Sequence, residues 1–189
     1  MKRFKTQLFY ITTIFLITLP WYSNASQCNE RDWNRALVSQ QSLERKYNLL
    51  ASRYNEWLGS FQQSIFLHIE FSRQELTYLW QKNSNNFQQK IEKQLLFALE
   101  SRQQVNDLIQ YLETIPSQVQ TQQAVWDKIG QDCTNDKLIT NSVAALHYRS
   151  FDDSLLLDLS NLKQQLTTMN RYYDREIITL QSINEPTLP

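Results

Sequence analysis

The sequence predicts an all-α protein, an elongated antiparallel helical bundle in which a long helical hairpin packs with a C-terminal helix and one disulfide closes the base. Three observations support this fold class. The 189 residues include only two glycines and four prolines, fewer than the turns and bulges of β-sheet folds usually need. Apolar residues recur at intervals of four and three over long stretches, as in the seams of coiled coils. The two cysteines flank the stretch that would form the hairpin.

The first 25 residues have the composition of a cleaved signal peptide. Three basic residues lie within residues 1–5, the stretch 8–19 is apolar apart from three threonines, and small residues occupy positions 23 and 25. We expect cleavage after Ala25 and a periplasmic or secreted protein. An uncleaved membrane anchor is one alternative, but it would need about 20 apolar residues. A lipoprotein is the other, but Cys28 is not preceded by the aliphatic and small residues that lipidation requires.

Residues 26–185 are expected to form a single helical bundle domain, followed by a flexible tail at 186–189. Removal of the signal peptide takes away three basic residues, which changes the balance from 19 basic against 19 acidic residues to 16 against 19. A mildly acidic chain does not favour nucleic acid or an anionic membrane as a partner recognised through bulk charge. We therefore expect no nucleic-acid partner and no stable membrane span after cleavage.

The first long helix is predicted over residues 30–81. Asn29 is a suitable N-cap, and Glu30 and Asp32 place carboxylates in the first turn, where they oppose the helix dipole. The apolar seam of this helix consists of Trp33, Leu37, Leu43, Tyr47, Leu50, Tyr54, Trp57, Phe61, Ile65, Leu76 and Leu79. A kink is expected near its middle, at Gly59.

The second long helix is predicted over residues 86–130, after a polar turn at 82–86. Its apolar seam consists of Phe87, Ile91, Leu95, Leu99, Val105, Leu108, Leu112, Ile115, Val119, Trp126 and Ile129. Pro116 should bend this helix, because proline removes a backbone donor and clashes with the preceding turn. Gly130 is expected to cap its C-terminus.

A shorter helical connector is predicted over residues 136–149, and a C-terminal helix over 151–183. Ser150 and Asp153 resemble a capping box at the boundary between them. The seam of the last helix consists of Phe151, Leu155, Leu159, Leu162, Leu166, Met169, Tyr173, Ile177 and Leu180. This helix would be about 50 Å long, enough to pack along the hairpin as the third member of the bundle.

Cys28 and Cys133 are expected to form an intramolecular disulfide. Cys28 precedes the first helix and Cys133 follows the second, so an antiparallel hairpin that turns at 82–86 brings both to the same end. Two alternatives remain: bonds to another chain, and a redox role. The chain contains no Cys-x-x-Cys motif, which disfavours the redox role.

The far end of the hairpin, near its turn, is more apolar than two packed helices require. Residues 65–71 are expected to lie opposite residues 97–103 there, and the stretches 65–71 and 95–99 are apolar on more than one stripe. Coverage by the C-terminal helix is one explanation. The other is a docking site for a partner protein, with five exposed aromatic anchors: Phe66, Phe71, Tyr78, Trp80 and Phe87.

The residues that could form a catalytic or cofactor site are better explained as structural residues. The chain contains no glycine-rich phosphate loop and no nucleophile elbow. Its two histidines, His68 and His147, lack the spacings of di-iron and zinc sites. Haem ligation by His68 and Met169 is the one cofactor alternative, although a seam methionine is usually a core residue. We therefore predict no enzyme activity, no metal and no cofactor.

These features favour an exported, non-enzymatic scaffold or adaptor that acts through protein–protein interaction, with an unidentified protein partner or as a homodimer. Two other functions are compatible with the sequence. One is a periplasmic helical-bundle carrier of a small ligand or haem. The other is a periplasmic chaperone or stress sensor with an apolar binding surface.

Overall fold

The computed structural model describes residues 26–82 and 85–183, and within these ranges every regular element is a helix. The helices are α1 (Glu30–Gln63), α2 (Leu67–Glu70), α3 (Arg73–Lys82), α4 (Asn85–Glu113), α5 (Pro116–Asn135) and α6 (Ile139–Ser182). The all-α fold class is confirmed. The expected signal peptide at 1–25 and the tail at 186–189 lie outside the described residues.

Three layers of helix form the bundle. α4 and α5 follow one another along α6, which runs antiparallel to both, and α1 lies beside them in the same direction as α6. Lys46 of α1 reaches Gln118 of α5, and Lys163 of α6 reaches Glu113 of α4, both at 2.7 Å. The C-terminal helix therefore covers the helical hairpin by internal packing.

The core follows the predicted seams over most of their length. Its main cluster joins all three layers and includes Leu43, Leu50, Val105, Leu108, Leu112, Val119, Leu159, Leu162, Leu166 and Tyr173. Two predicted seam residues, Ile65 and Phe151, are exposed instead. Ile65 lies in the break between α1 and α2, where the helical repeat that orients side chains is lost.

α1 begins where the sequence predicts. The Asn29 side chain accepts a hydrogen bond from the Asp32 backbone N–H at 3.0 Å, which caps the helix. α1 continues through Gly59, where a kink is expected, without a break in the helix. The helix stops at Ser64, whose backbone is extended and whose hydroxyl donates to the Ser60 carbonyl at 2.9 Å. The predicted first helix is therefore divided into α1, α2 and α3.

The second predicted helix is divided at its proline. Pro116 is the first residue of α5, a position where its missing N–H costs no hydrogen bond, and a turn at 114–115 precedes it. The C-cap expected at Gly130 is wrong, because α5 continues to Asn135. A Cβ atom on Gly130 would lie 3.6 Å from the Ala145 Cβ atom. This is an ordinary van der Waals distance, so an alanine would also fit between α5 and α6 here.

α5 ends in a Schellman motif. The Leu138 N–H donates to the Cys133 carbonyl at 2.8 Å, and the Lys137 N–H donates to the Thr134 carbonyl at 3.0 Å. Lys137 has a φ of 61°, in the left-handed region that such motifs usually give to glycine. The motif reverses the chain within a few residues, which places the start of α6 against the end of α5.

α6 is a single helix of 44 residues. The expected connector is its first part, and the boundary predicted at Ser150 is wrong. The Ser150 hydroxyl donates to the His147 carbonyl at 2.7 Å, within the same helix. Ala145, Asp152 and Leu155 are all buried, so the interior stripe continues through this point. Burial on both sides of the expected boundary favours one continuous helix.

Candidate functional site

The base of the bundle is closed by the disulfide between Cys28 and Cys133, which confirms the predicted pairing. The Gln27 N–H donates to Asp132 at 2.7 Å, and Lys128 pairs with the same carboxylate at 2.6 Å. The hydrogen bond from Lys128, followed by that from Gln27, lowers the pKa of Asp132. Covalent and polar contacts therefore both attach the start of α1 to α5.

At the other end, the tip, the carboxylate of Glu176 holds the break after α1 against α6. This side chain is fully buried. It accepts hydrogen bonds from the backbone N–H groups of Leu67 at 2.9 Å and His68 at 3.0 Å. The His68 Nδ1 atom lies 2.7 Å away and the Gln94 Nε2 atom 3.0 Å away. We call these four residues the Glu176 clasp. These hydrogen bonds hold α2 against α6, because a buried carboxylate is stable only while its hydrogen-bond donors remain beside it.

The clasp involves one of the two residues considered as haem ligands. His68 faces Glu176, which lies seven residues, or about 10 Å, beyond Met169 along α6. Met169 is buried in the main core cluster. In this structure the His68 Nδ1 atom is therefore engaged with Glu176, and Met169 serves as a core residue.

Phe66 is expected to be an exposed anchor, and this is wrong. Only 6% of its surface is exposed. Its ring packs against those of Phe61 and Tyr173, at centroid distances of 5.3 and 5.5 Å. The reason is the position of Phe66 directly before α2, which the Glu176 clasp draws against α6. Phe66 is therefore a core residue.

Trp80 and Phe87 are half-buried, whereas both are expected from the sequence to be exposed anchors. Both pack against a small core cluster that consists of Leu76, Ile91, Leu180 and Ile183. This cluster joins α3 and α4 to the end of α6. The two aromatic residues extend its edge, so they stabilise the tip of the bundle.

Phe71 and Tyr78 are the two aromatic candidates that are exposed, with 39% and 56% of their surfaces accessible. Phe71 lies in the extended link before α3, and Tyr78 lies within α3. Together with Gln74, Glu75 and Leu79 they line an open groove of about 390 Å³. We call it the α3 groove. It is the part of the predicted docking site that the structure leaves accessible.

The start of α3 is fixed by local hydrogen bonds to one of the groove residues. Glu75 accepts hydrogen bonds from the Ser72 N–H at 2.7 Å and from the Ser72 hydroxyl at 2.8 Å. These two bonds lower the pKa of Glu75 below its ordinary value of 4.5. The groove therefore contains a carboxylate that is ionised at neutral pH.

Across residues 26–82 and 85–183, no three His, Cys, Asp or Glu side chains are grouped so that they could hold a metal ion. In the same residues, no helix combines the length and the apolar character needed to cross a membrane.

A layer of buried polar side chains crosses the core near the disulfide. The Trp126 Nε1–H donates to the Gln40 Oε1 atom at 3.0 Å, and the Gln122 Nε2–H donates to the Ala36 carbonyl at 2.9 Å. Asp152 is fully buried, and neither of its oxygens accepts a hydrogen bond from a described residue. The sequence does not reveal this layer, although Asp152 lies three positions before the seam residue Leu155 on α6.

Burial raises the pKa of Asp152 from 3.8 to about 6. The Gln40 amide opposes part of the rise, and the charges of Asp153 and Glu44 add to it. Arg149 has a smaller opposing effect. A carboxylate in this setting binds its proton more tightly in the folded chain than in the unfolded chain.

Replacing Asp152 with asparagine is expected to stabilise the fold at neutral pH. Because its pKa is raised, the contribution of Asp152 to wild-type stability is greatest at low pH, falls as the pH rises from about 4 to about 6, and then stays level. The variant lacks this fall, so its free energy of unfolding should exceed that of wild type by about 1–3 kcal/mol at pH 7.5 and by less at pH 5. Urea unfolding at the two pH values measures the difference.

Asp153→Asn provides the control for this prediction, because Asp153 is the exposed neighbour of the same residue type. It should shift stability by less than about 1 kcal/mol at both pH values. Equal pH profiles for wild type and Asp152→Asn would contradict the assignment of the pH dependence to Asp152.

Comparison of the sequence with family models, with curated proteins and with solved structures finds no match. Function is therefore inferred from the geometry of the bundle. The two regions that carry such an inference are the α3 groove at the tip and a second groove near the base.

Proposed function

We propose that this protein is an exported, non-enzymatic helical adaptor that binds a partner protein through the α3 groove. The observation that carries the proposal is the exposure of Phe71 and Tyr78 in one groove, while the other three aromatic candidates are buried or half-buried. Exposed aromatic side chains in a concave surface are typical of binding hot spots. The signal-like residues 1–25 and the disulfide support export.

The α3 groove is supported by a rigid segment. Leu76 on the opposite side of α3 is fully buried, and the Arg73 guanidinium donates to the Ser182 carbonyl of α6 at 3.1 Å. The Glu176 clasp holds α2 just before it. A groove that is already ordered loses little conformational entropy when a partner binds. This rigidity favours recognition of a defined partner.

The chemistry of the groove indicates the kind of segment that it binds. Its apolar walls are Phe71, Tyr78 and Leu79, and Glu75 is the one charged residue among the described residues that line it. An amphipathic helix that inserts an apolar side chain between the two rings and places a lysine or arginine beside Glu75 would match both features. The proposed partner is therefore another exported protein that presents such a helix.

Photo-crosslinking in the producing cell tests this proposal. A photoreactive phenylalanine analogue replaces Tyr78 in the full-length chain, and in a matched control it replaces Tyr111, which is similarly exposed on α4 and lines no described groove. We expect one crosslinked protein from position 78 and none from position 111. Phe71→Ala should weaken binding of the identified partner by about tenfold or more.

Three outcomes would contradict the proposal. Position 78 could give no product, or both positions could give the same product. A product of twice the mass of the chain would assign the groove to a second copy of the protein, as in the homodimer that the sequence also allows.

A further inference from the structure

A second groove lies between α1 and α5 near the disulfide, on a different part of the bundle from the α3 groove. Its volume is about 450 Å³, within the range of about 300–1,000 Å³ that is usual for small-molecule sites. The residues that line it belong mainly to one face of α1 and one face of α5. We call it the α1–α5 groove.

Small side chains create this groove. On α1 the wall next to α5 contains Ala36, Ser39 and Ser42, where larger residues would fill the space. The floor is apolar, because Leu43 and Ile129 line it and are buried. Two facing helices with such short side chains leave a channel that is open to solvent along one side.

The α1 wall has an ordered polar pattern. Arg35, Ser39, Ser42 and Lys46 follow one another at intervals of four, three and four residues, so they lie along one stripe of the helix. Two hydroxyl groups are therefore flanked by a cation at each end.

The two cations differ in their partners. Arg35 lies 3.5 Å from the Asp32 carboxylate, which also lines the groove. Lys46 is half-buried, and its ammonium group donates to the neutral Gln118 Oε1 atom at 2.7 Å. Among the described residues it forms no ion pair with a carboxylate. The positive charge at the Lys46 end is therefore uncompensated.

We propose that the α1–α5 groove binds a small amphipathic carboxylate. The carboxylate group pairs with Lys46 beside Gln118, and the aliphatic body lies along Leu43, Val125 and Ile129 toward the disulfide. The acidic Asp32 at the opposite end disfavours the reverse orientation. Such a ligand satisfies the lysine with a charge-assisted hydrogen bond and buries its apolar part in the channel. This site is independent of the proposed adaptor function, because the two grooves share no residue.

Titration of the isotope-labelled full-length protein with decanoate, followed by amide chemical shifts, tests the site. We expect saturable shifts at groove residues such as Gln122 and Val125. Decanol, which has the same chain length and no charge, should bind about tenfold more weakly because it lacks the charge-assisted bond. Lys46→Met keeps an apolar stem of similar length and should reduce decanoate affinity by about tenfold while it leaves decanol affinity unchanged.

Two further variants complete the test. Lys90→Met removes an exposed lysine of α4 that does not line the groove, and it should bind decanoate as wild type does. Ser42→Leu fills the channel and should abolish binding of both probes. The proposal would be overturned if decanoate shifted no groove amide, if decanoate and decanol bound equally, or if Lys46→Met and Lys90→Met had the same affinity.

Discussion

Replacing both Cys28 and Cys133 with alanine is expected to lower the free energy of unfolding by about 4 kcal/mol. The bond joins residues separated by 105 positions, and without it the unfolded chain gains conformational entropy. Urea unfolding followed by circular dichroism measures this loss. The dependence of the free energy on urea should also become steeper, because an unfolded chain without the crosslink exposes more surface.

Reduction provides the control for this prediction. Dithiothreitol should destabilise wild type by the same amount as the double substitution, and it should have no effect on the double variant. A loss below about 1 kcal/mol would show that the bond hardly restricts the unfolded chain, against the loop-closure account.

Glu176→Ala is expected to cost about 3 kcal/mol of stability, the second-largest effect. The substitution leaves the backbone donors of Leu67 and His68 without their acceptor, together with the side chains of His68 and Gln94. Each of these groups is at least partly buried, so water replaces the carboxylate incompletely. Urea unfolding measures the total cost, and hydrogen exchange of the Leu67 and His68 amides should show that α2 is released.

Glu113→Ala is the matched control for the Glu176 clasp. Glu113 pairs with Lys163 at 2.7 Å, but about half of each side chain is exposed to solvent. Solvent screening should limit the cost of this substitution to less than about 1 kcal/mol. If the two glutamate variants lose equal stability, the buried contacts of Glu176 contribute no more than a surface ion pair does.

The helices and the disulfide could be predicted from the sequence because they follow from local rules. The spacing of Leu43, Leu50 and their neighbours defines the seam of α1 without any knowledge of the partner helix. Asn29 indicates the start of α1 in the same way. The pairing of Cys28 with Cys133 required one further step, the antiparallel hairpin, and only two cysteines were present to pair.

The break after α1 could not be predicted in this way, because its cause is distant in the sequence. Glu176 accepts a hydrogen bond from the N–H of Leu67, 109 residues earlier. No local pattern near Ser64 indicates that α1 ends there, and Gly59 is the better helix breaker by composition. The helix nevertheless continues through Gly59 and ends at Gln63.

The same break explains why the aromatic candidates were only partly predicted. In a continuous helix, the directions of Phe66, Phe71 and Tyr78 would all follow one helical repeat. Extended residues before and after α2 interrupt this repeat twice. Phe66 consequently turns inward, and Phe71 and Tyr78 remain exposed. The α1–α5 groove was also missed, because the serines that form it are unremarkable until α5 lies opposite them. The one signal in the sequence was the position of Lys46 in line with Ser39 and Ser42 on α1.

The disulfide also determines how mechanical force passes through the molecule. When force is applied between Ser26 and Ile183, tension passes from Cys28 through the disulfide to Cys133. Nearly all of α1 to α5 lies within the closed loop and transmits no tension along its backbone. Extension must therefore begin with α6 leaving the bundle, and the Glu176 clasp, near the pulled end of that helix, is among the first contacts to be loaded.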